Sequence, residues 1–271
     1  NNPKEIQLIG LKHINLKQAS EEIRKQFQKQ EEVEVPTDDD KPIHDDVTDV
    51  DFVQLHNHTQ FSVLQSTISV ADLVKAAVQN KMPAVAMTDH ANLMGAFHFV
   101  RDILYHNKSA QAKNKQAEEN GETPTEIILK PIVGCEFYVC ENHLDKTKKD
   151  NGYQIVMLAK NKNGYHNLAK MSSIAYTDGF YYVPRIDRKI VERYKEDIIV
   201  LSGNLYGEIP SKVLNIGENQ AEEALIWWKE QFGEDFYLEI MRHNQEDENR
   251  VNQTLISFSQ KHNVKLIATN N

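Results

Sequence analysis

The sequence predicts an α/β fold whose strands close into a barrel, and three observations carry that expectation. From Asp51 to Asn271 short apolar runs alternate with amphipathic stretches roughly six times, the pattern of a strand-helix repeat. That length could hold one large barrel or two smaller domains, and the unbroken repeat favours the barrel. Hydrophobic residues make up 40% of the chain, enough for a sizeable core.

The chain divides into three stretches. Residues 1–30 hold a strand-like run at Ile6–Ile9 and a helix whose apolar marks Ala19, Ile23 and Phe27 recur every four residues. So narrow a stripe cannot build a core, and this part is expected to be an arm or the tail of a preceding domain. Residues 31–50 have linker composition, with Pro36, Pro42 and a run of acid. Ten carboxylates and one base, Lys41, lie between Glu31 and Asp51, so this stretch alone accounts for the formal charge of −9. The rest of the chain is then neutral overall, a poor electrostatic match for phosphate, and any contact with DNA has to come from elsewhere.

Within residues 51–271 strands are expected at Phe52–Leu55, Ala84–Met87, Ile127–Val133, Phe137–Cys140, Ile155–Ala159, Ile198–Leu201, Phe236–Met241 and Val264–Ala268. The clearest helix carries Val70, Leu73, Val74, Ala77 and Val78 on one stripe, with Ser69 placed to cap it and Asp72 three residues on. Others are expected about Gly95–His106, Asn163–Tyr176, Arg188–Tyr194, Ala221–Phe232 and Glu246–His262. Asn107–Glu126 lacks apolar periodicity and is expected to be a mobile surface insertion. Cys135 and Cys140 imply no disulfide framework, which suits a reducing cytoplasm, and no apolar run approaches the ~20 residues that span a bilayer. The chain opens Asn1-Asn2-Pro3 without an initiator Met and stops just past Val264–Ala268, so a fragment truncated within its barrel is expected.

Barrel sites form at the carboxyl ends of strands. Those ends supply His56 and His58 after the first strand, Thr88-Asp89-His90 after the second and Gly134-Cys135-Glu136 after the third. Three imidazoles and one carboxylate at one mouth suit zinc, manganese or iron, and a bound ion can lower the pKa of water for attack on a phosphoester. A lone histidine there is more often a hydrogen-bonded rim residue; the weight comes from their repetition at successive strand ends. Asp89 could orient a ligand or cap the next helix. His243 could line the mouth, whereas His98, His106, His143, His166 and His262 read as surface or packing residues. Trp227 and Trp228 read as core or docking edge, because Glu222, Glu223 and Glu230 beside them would repel phosphate.

His56-Asn57-His58-Thr59-Gln60-Phe61-Ser62, Met82 through Gly95 and Lys130-Pro131-Ile132-Val133-Gly134-Cys135-Glu136 resemble the polymerase and histidinol phosphatase (PHP) domain, in the version carried by the alpha subunit of bacterial DNA polymerase III. Leu158-Ala159-Lys160-Asn161, Leu201-Ser202-Gly203, Tyr237-Leu238-Glu239-Ile240 and Ile267-Ala268-Thr269-Asn270 support it, so that the resemblance spans roughly residues 51–271. It implies a distorted seven-stranded β/α barrel, TIM-like, with a trinuclear metal centre in active members. His56, His58, His90 and Glu136 match ligand positions. Gln65 stands where the family has an Asp, Gln154 where it has a His, Asn204 where it has a Cys or His, and Asn271 where it has an Asp. These amides carry no charge, and crowded cations need anionic ligands.

The resemblance therefore implies a fragment of a replicative DNA-directed DNA polymerase whose PHP domain is structural rather than catalytic. It would hold no metal, or one residual zinc or manganese, while magnesium serves the parent polymerase. Expected partners are downstream polymerase domains of the same chain, a proofreading exonuclease, and DNA through the parent, in the cytoplasm and without a membrane. An active metal-dependent phosphoesterase or 3′–5′ exonuclease is the alternative, and a histidinol-phosphate-type phosphatase a further one.

Overall fold

The computed structural model describes residues 52–270; the expected arm, the linker and Asn271 lie outside the described residues. The element order is α1 (Val70–Gln79), β1 (Ala84–Met87), α2 (Ala96–Glu119), β2 (Lys130–Cys140), β3 (Tyr153–Ala159), α3 (Lys162–Thr177), β4 (Arg185–Asp187), α4 (Arg188–Tyr194), β5 (Ile198–Leu201), α5 (Glu208–Asn215), α6 (Glu218–Phe232), β6 (Phe236–Ile240), α7 (Glu246–His262) and β7 (Lys265–Ala268).

The strands form one curled mixed sheet, a half-barrel, in the order β1-β2-β3-β5-β6-β7, with β4 paired to β2. β1 and β2, β5 and β6, and β6 and β7 run parallel; β3 is antiparallel to both β2 and β5. Alternation of side chains across the pleat explains how one sheet serves two layers. Ala86, Val156, Leu158 and Leu201 meet on the concave face, joined by Leu55, Ile132, Tyr237 and Ile267. Their neighbours Cys135, Phe137, Met157, Val200 and Leu238 point outward into the main core, under Leu168, Leu225, Trp228 and Leu255 of the helices. Val70, Leu73 and Val74 of α1 form a smaller core with Phe99 and Ile103 of α2 over β1.

Several expectations change. Phe52–Leu55 is no regular strand: it makes a single parallel bridge, Gln54 to Val85, because the chain turns into the loop at His56 and the Asn57 amide occupies the carbonyls of Gln54 and Ala86. The two strands expected at Ile127–Val133 and Phe137–Cys140 are one, β2. Gly134 does not break it; a Cβ there would lie 2.6 Å from Leu158 Cδ2 and 2.8 Å from the Met157 carbonyl, so the glycine serves close approach of β3. The expected mobile insertion at Asn107–Glu126 is for the most part the second half of α2, which runs to Glu119. Its Ala, Lys, Gln and Glu residues are strong helix formers that need no apolar stripe. Two elements had no expected counterpart: β4, whose residues include a buried Arg185 and Asp187, and α5, which tolerates Pro210 in its first turn.

The Ser69 cap is present, its Oγ accepting from the Asp72 amide at 3.1 Å. Cys135 and Cys140 are buried free thiols, and burial pushes Cys140 up to about 11. Trp228 is core, its indole N–H donating to Glu208 at 2.8 Å, and Arg188 lies over the Trp227 ring. Among the described residues no helix is long and apolar enough to cross a membrane.

Candidate metal centre

Glu136 sits within β2, fully buried. Its amide donates to the Asp89 carbonyl at 3.1 Å and its own carbonyl accepts from the Ala91 amide at 2.8 Å, so the chain leaving β1 is held against the strand that bears the carboxylate. Around Glu136 Oε2 stand His58 Nε2 at 2.8 Å, His90 Nδ1 at 3.1 Å and His56 Nε2 at 3.5 Å. The rings of His58 and His90 stack at 4.0 Å, and Tyr138 extends the stack behind His90. All four residues read from the strand ends are thus brought together.

The groups behind the histidines decide their tautomers. His56 Nδ1 lies 2.8 Å from Glu239 Oε1; a carboxylate accepts there, so the ring proton is on Nδ1 and Nε2 offers a lone pair. Ser62 Oγ donates to Asp89 at 2.7 Å, which leaves it to accept from His58 Nδ1 at 2.9 Å and from the His90 amide. His58 therefore also turns a lone pair on Nε2 inward. Asp89 is held by the Thr59 amide, the Thr59 hydroxyl and Ser62, so it orients His58 at one remove and does not cap α2.

The inward atoms are unsatisfied. His56 Nε2, His58 Nε2, His90 Nδ1 and both Glu136 oxygens are buried without a hydrogen-bond partner. Lone pairs facing a carboxylate repel, and such an arrangement calls for a cation among them. Ligand atoms of His56, His58 and Glu136 lie within 4.8 Å of one another, close enough to share one ion. The donor set, two or three imidazoles and one carboxylate, fits zinc or manganese. Bound there, the ion would act as a Lewis acid toward water or a phosphoryl oxygen.

The electrostatics agree. Burial alone would lower His56, yet Glu239 and Glu136 flanking it push it up to about 10. A proton on His56 and a metal ion are two ways to place positive charge between these carboxylates. Burial would raise Glu136, but N–H groups of His56 and His58 turned inward, in place of an ion, would hold it well below the usual carboxylate range. Burial brings His90 down to about 4 against the pull of Glu136, with His58 and His56 adding to the fall.

Above the cluster lies a pocket of about 430 Å³ lined by His56, His58 and His90 and, on its outer wall, by Gln65, Gln154 and Asn204. Three of the four amides thus line the same pocket as the histidines; Asn271 is outside the described residues. A second cavity of about 210 Å³ adjoins it behind Glu239 and Asn204, and His243 lines that one, its Nδ1 2.6 Å from Glu248. His98 and His166 are exposed; His143 is buried against Asp187 at 2.6 Å, His106 is partly buried against the Ile127 carbonyl, and His262 pairs with Glu222. Glu239, Ser62 and Thr269, whose hydroxyl also bonds Glu239, escaped the reading of strand ends. Glu239 could have been found, because a carboxylate inside the apolar run Phe236–Ile240 is buried only with a reason.

A PHP domain matches residues 54–243. Curated relatives named DNA polymerase III subunit alpha include those of Borreliella burgdorferi, 36% identical over 223 residues, and Aquifex aeolicus, 37% over 229, each covering 81% of this chain and 18% of the relative. That of Thermus aquaticus is 37% identical over 226 residues, 81% of this chain and 17% of the relative. The chain thus spans less than a fifth of the length of these relatives. A crystal structure from Bifidobacterium adolescentis, provisionally named a metal-dependent phosphoesterase, overlays with a TM-score of 0.46 at 14% identity, covering 80% of this chain and 86% of its own.

Proposed function

The chain belongs to the PHP domain family, and from that premise we propose that it is the PHP region of a replicative DNA polymerase III alpha subunit, holding one divalent ion and hydrolysing nothing. One observation carries this reading: a single ion's worth of inward lone pairs at His56, His58, His90 and Glu136 is walled by the neutral amides Gln65, Gln154 and Asn204. Further cations beside the first would meet no compensating charge on that wall. Glu136 and Glu239 suffice to offset one divalent ion; the outer wall supplies hydrogen bonds only.

On this reading the domain, residues 51–271, is a barrel kept for shape and for contacts with the polymerase domains of its parent. Leu55 and Ile267 share the concave cluster, and the Gln54 amide donates to the Asn270 carbonyl, which supports closure of the half-barrel. DNA synthesis, its magnesium, a proofreading partner and a cytoplasmic setting belong to that parent. The intact histidine cluster favours a second reading, a working phosphoesterase or 3′–5′ exonuclease.

Elemental analysis of chain purified without chelator separates the two. One zinc or manganese per chain, lost in His58→Ala, and no phosphodiesterase activity are expected; two or three ions with activity that His58→Ala abolishes would establish the second reading. Gln65→Asp with Gln154→His is expected to raise metal uptake without raising the melting temperature.

A further inference from the structure

The outer layer of helices has a gap. α2 covers the β1–β2 side of the sheet and α3 the β3 side, and both rest on β2. Among the described residues no helix lies between them, because β2 and β3 are antiparallel and their connection, residues 141–152, is a loop rather than a crossover helix. The sheet is bared there at Pro131, Val133 and Ala159, in a groove of about 750 Å³.

The groove wall is apolar and unpartnered among the described residues. α2 turns Ala96, Phe99, Ile103 and Ala110 to the core, yet carries a second stripe with Phe97 at 71% exposure, Leu104 at 58% and Tyr105 at 68%. These positions are seven and eight residues apart and share one helical face. Tyr165 closes the opposite wall from α3. Its charges are of one sign: Arg101, Lys160 and Lys162 line the groove, and no carboxylate does. Arg101 pairs with Asp102, part-buried, and Lys160 with Asp235, an exposed pair that exchanges cheaply, both carboxylates lying outside the lining, while Lys162 has no carboxylate partner among the described residues.

From the missing crossover helix and the cationic rim we propose that this groove docks an acidic amphipathic helix from a protein partner, its apolar stripe on Phe97, Leu104 and Val133 and its carboxylates toward Arg101, Lys160 and Lys162. Such an occupant completes the helix layer, as grooves of this kind do for helical peptides. The surface is independent of the metal centre and stands whether or not the mouth binds an ion.

The test is fluorescence anisotropy with the 271-residue chain and labelled synthetic helices of roughly 18 residues, about five turns. One has Leu and Phe on one face and Glu on the other; a twin has Lys in place of Glu; a third is the acidic composition scrambled. The amphipathic acidic peptide is expected to saturate, to weaken as salt rises, and to lose about tenfold or more in affinity with Leu104→Glu or with Lys160→Glu plus Lys162→Glu. These side chains are exposed, so circular dichroism melts should match the unaltered chain. Equal binding of the basic twin or of the scrambled peptide, no binding of any peptide, or indifference to the variants overturns the proposal. So does a dimer by light scattering that Leu104→Glu dissociates, since the occupant is then a second copy.

Discussion

Glu239 touches no inward atom of the cluster, yet it fixes which nitrogen of His56 faces in and adds charge behind it. Glu239→Gln keeps the shape and an acceptor for the Nδ1 proton while removing that charge. Its zinc affinity, measured by competition with a chromophoric chelator, is expected to fall about 10- to 100-fold, with metal-free thermal melting little changed. An unchanged affinity would show that Glu239 is packing alone. His56, His58, His90 and Glu136 were legible from sequence because each directly follows or sits in an apolar run. Glu239 and Ser62 were not, since their role depends on which elements the fold sets face to face, 183 and 4 residues along the chain from the histidines they support.

At the scale of elements the sequence was most informative where packing drives the local choice. β1, β5, α4 and α7 have the bounds their apolar periods predict, because each buries a regular stripe or run. The polar half of α2 was illegible for the opposite reason: it is held by side-chain bonds to the segment after it. Asn107 both donates to and accepts from the backbone of Leu129 at 2.8 Å, and Asn114 does the same for Glu126 at 2.9 Å. These asparagines hold residues 126–129 alongside the helix much as a neighbouring strand would. Asn107→Ala leaves the part-buried backbone of Leu129 unpaired and is expected to cost about 1–3 kcal/mol in chemical denaturation. Hydrogen exchange should speed up at residues 126–129 first; uniform protection would contradict the assignment.

At the scale of the whole molecule, Arg185 joins segments that no strand pairing joins. Its guanidinium is fully buried and meets no carboxylate among the described residues; it donates to the carbonyls of Gly179, Asp150, His143 and Asp145. Four carbonyl dipoles replace the counter-ion, and the loop from β2 to β3 takes its shape around that charge. Arg185→Met strands those carbonyls at about 1–3 kcal/mol each where they are buried, so limited proteolysis should nick residues 141–152 long before the unaltered chain is cut; a variant as resistant as the unaltered chain would refute this. The network beneath His58 sets a comparable constraint on inheritance. Asp89 and Ser62 orient His58, but they also satisfy the buried amide of Thr59 and the part-buried amide of His90. On the reading proposed above, the lineage can let its outer ligands drift to amides at little cost, as at Gln65 and Gln154. It cannot discard Asp89 without unsettling the turn that β1 feeds. On that reading such a centre erodes from its rim inward, and the histidines nearest the backbone are the last to go.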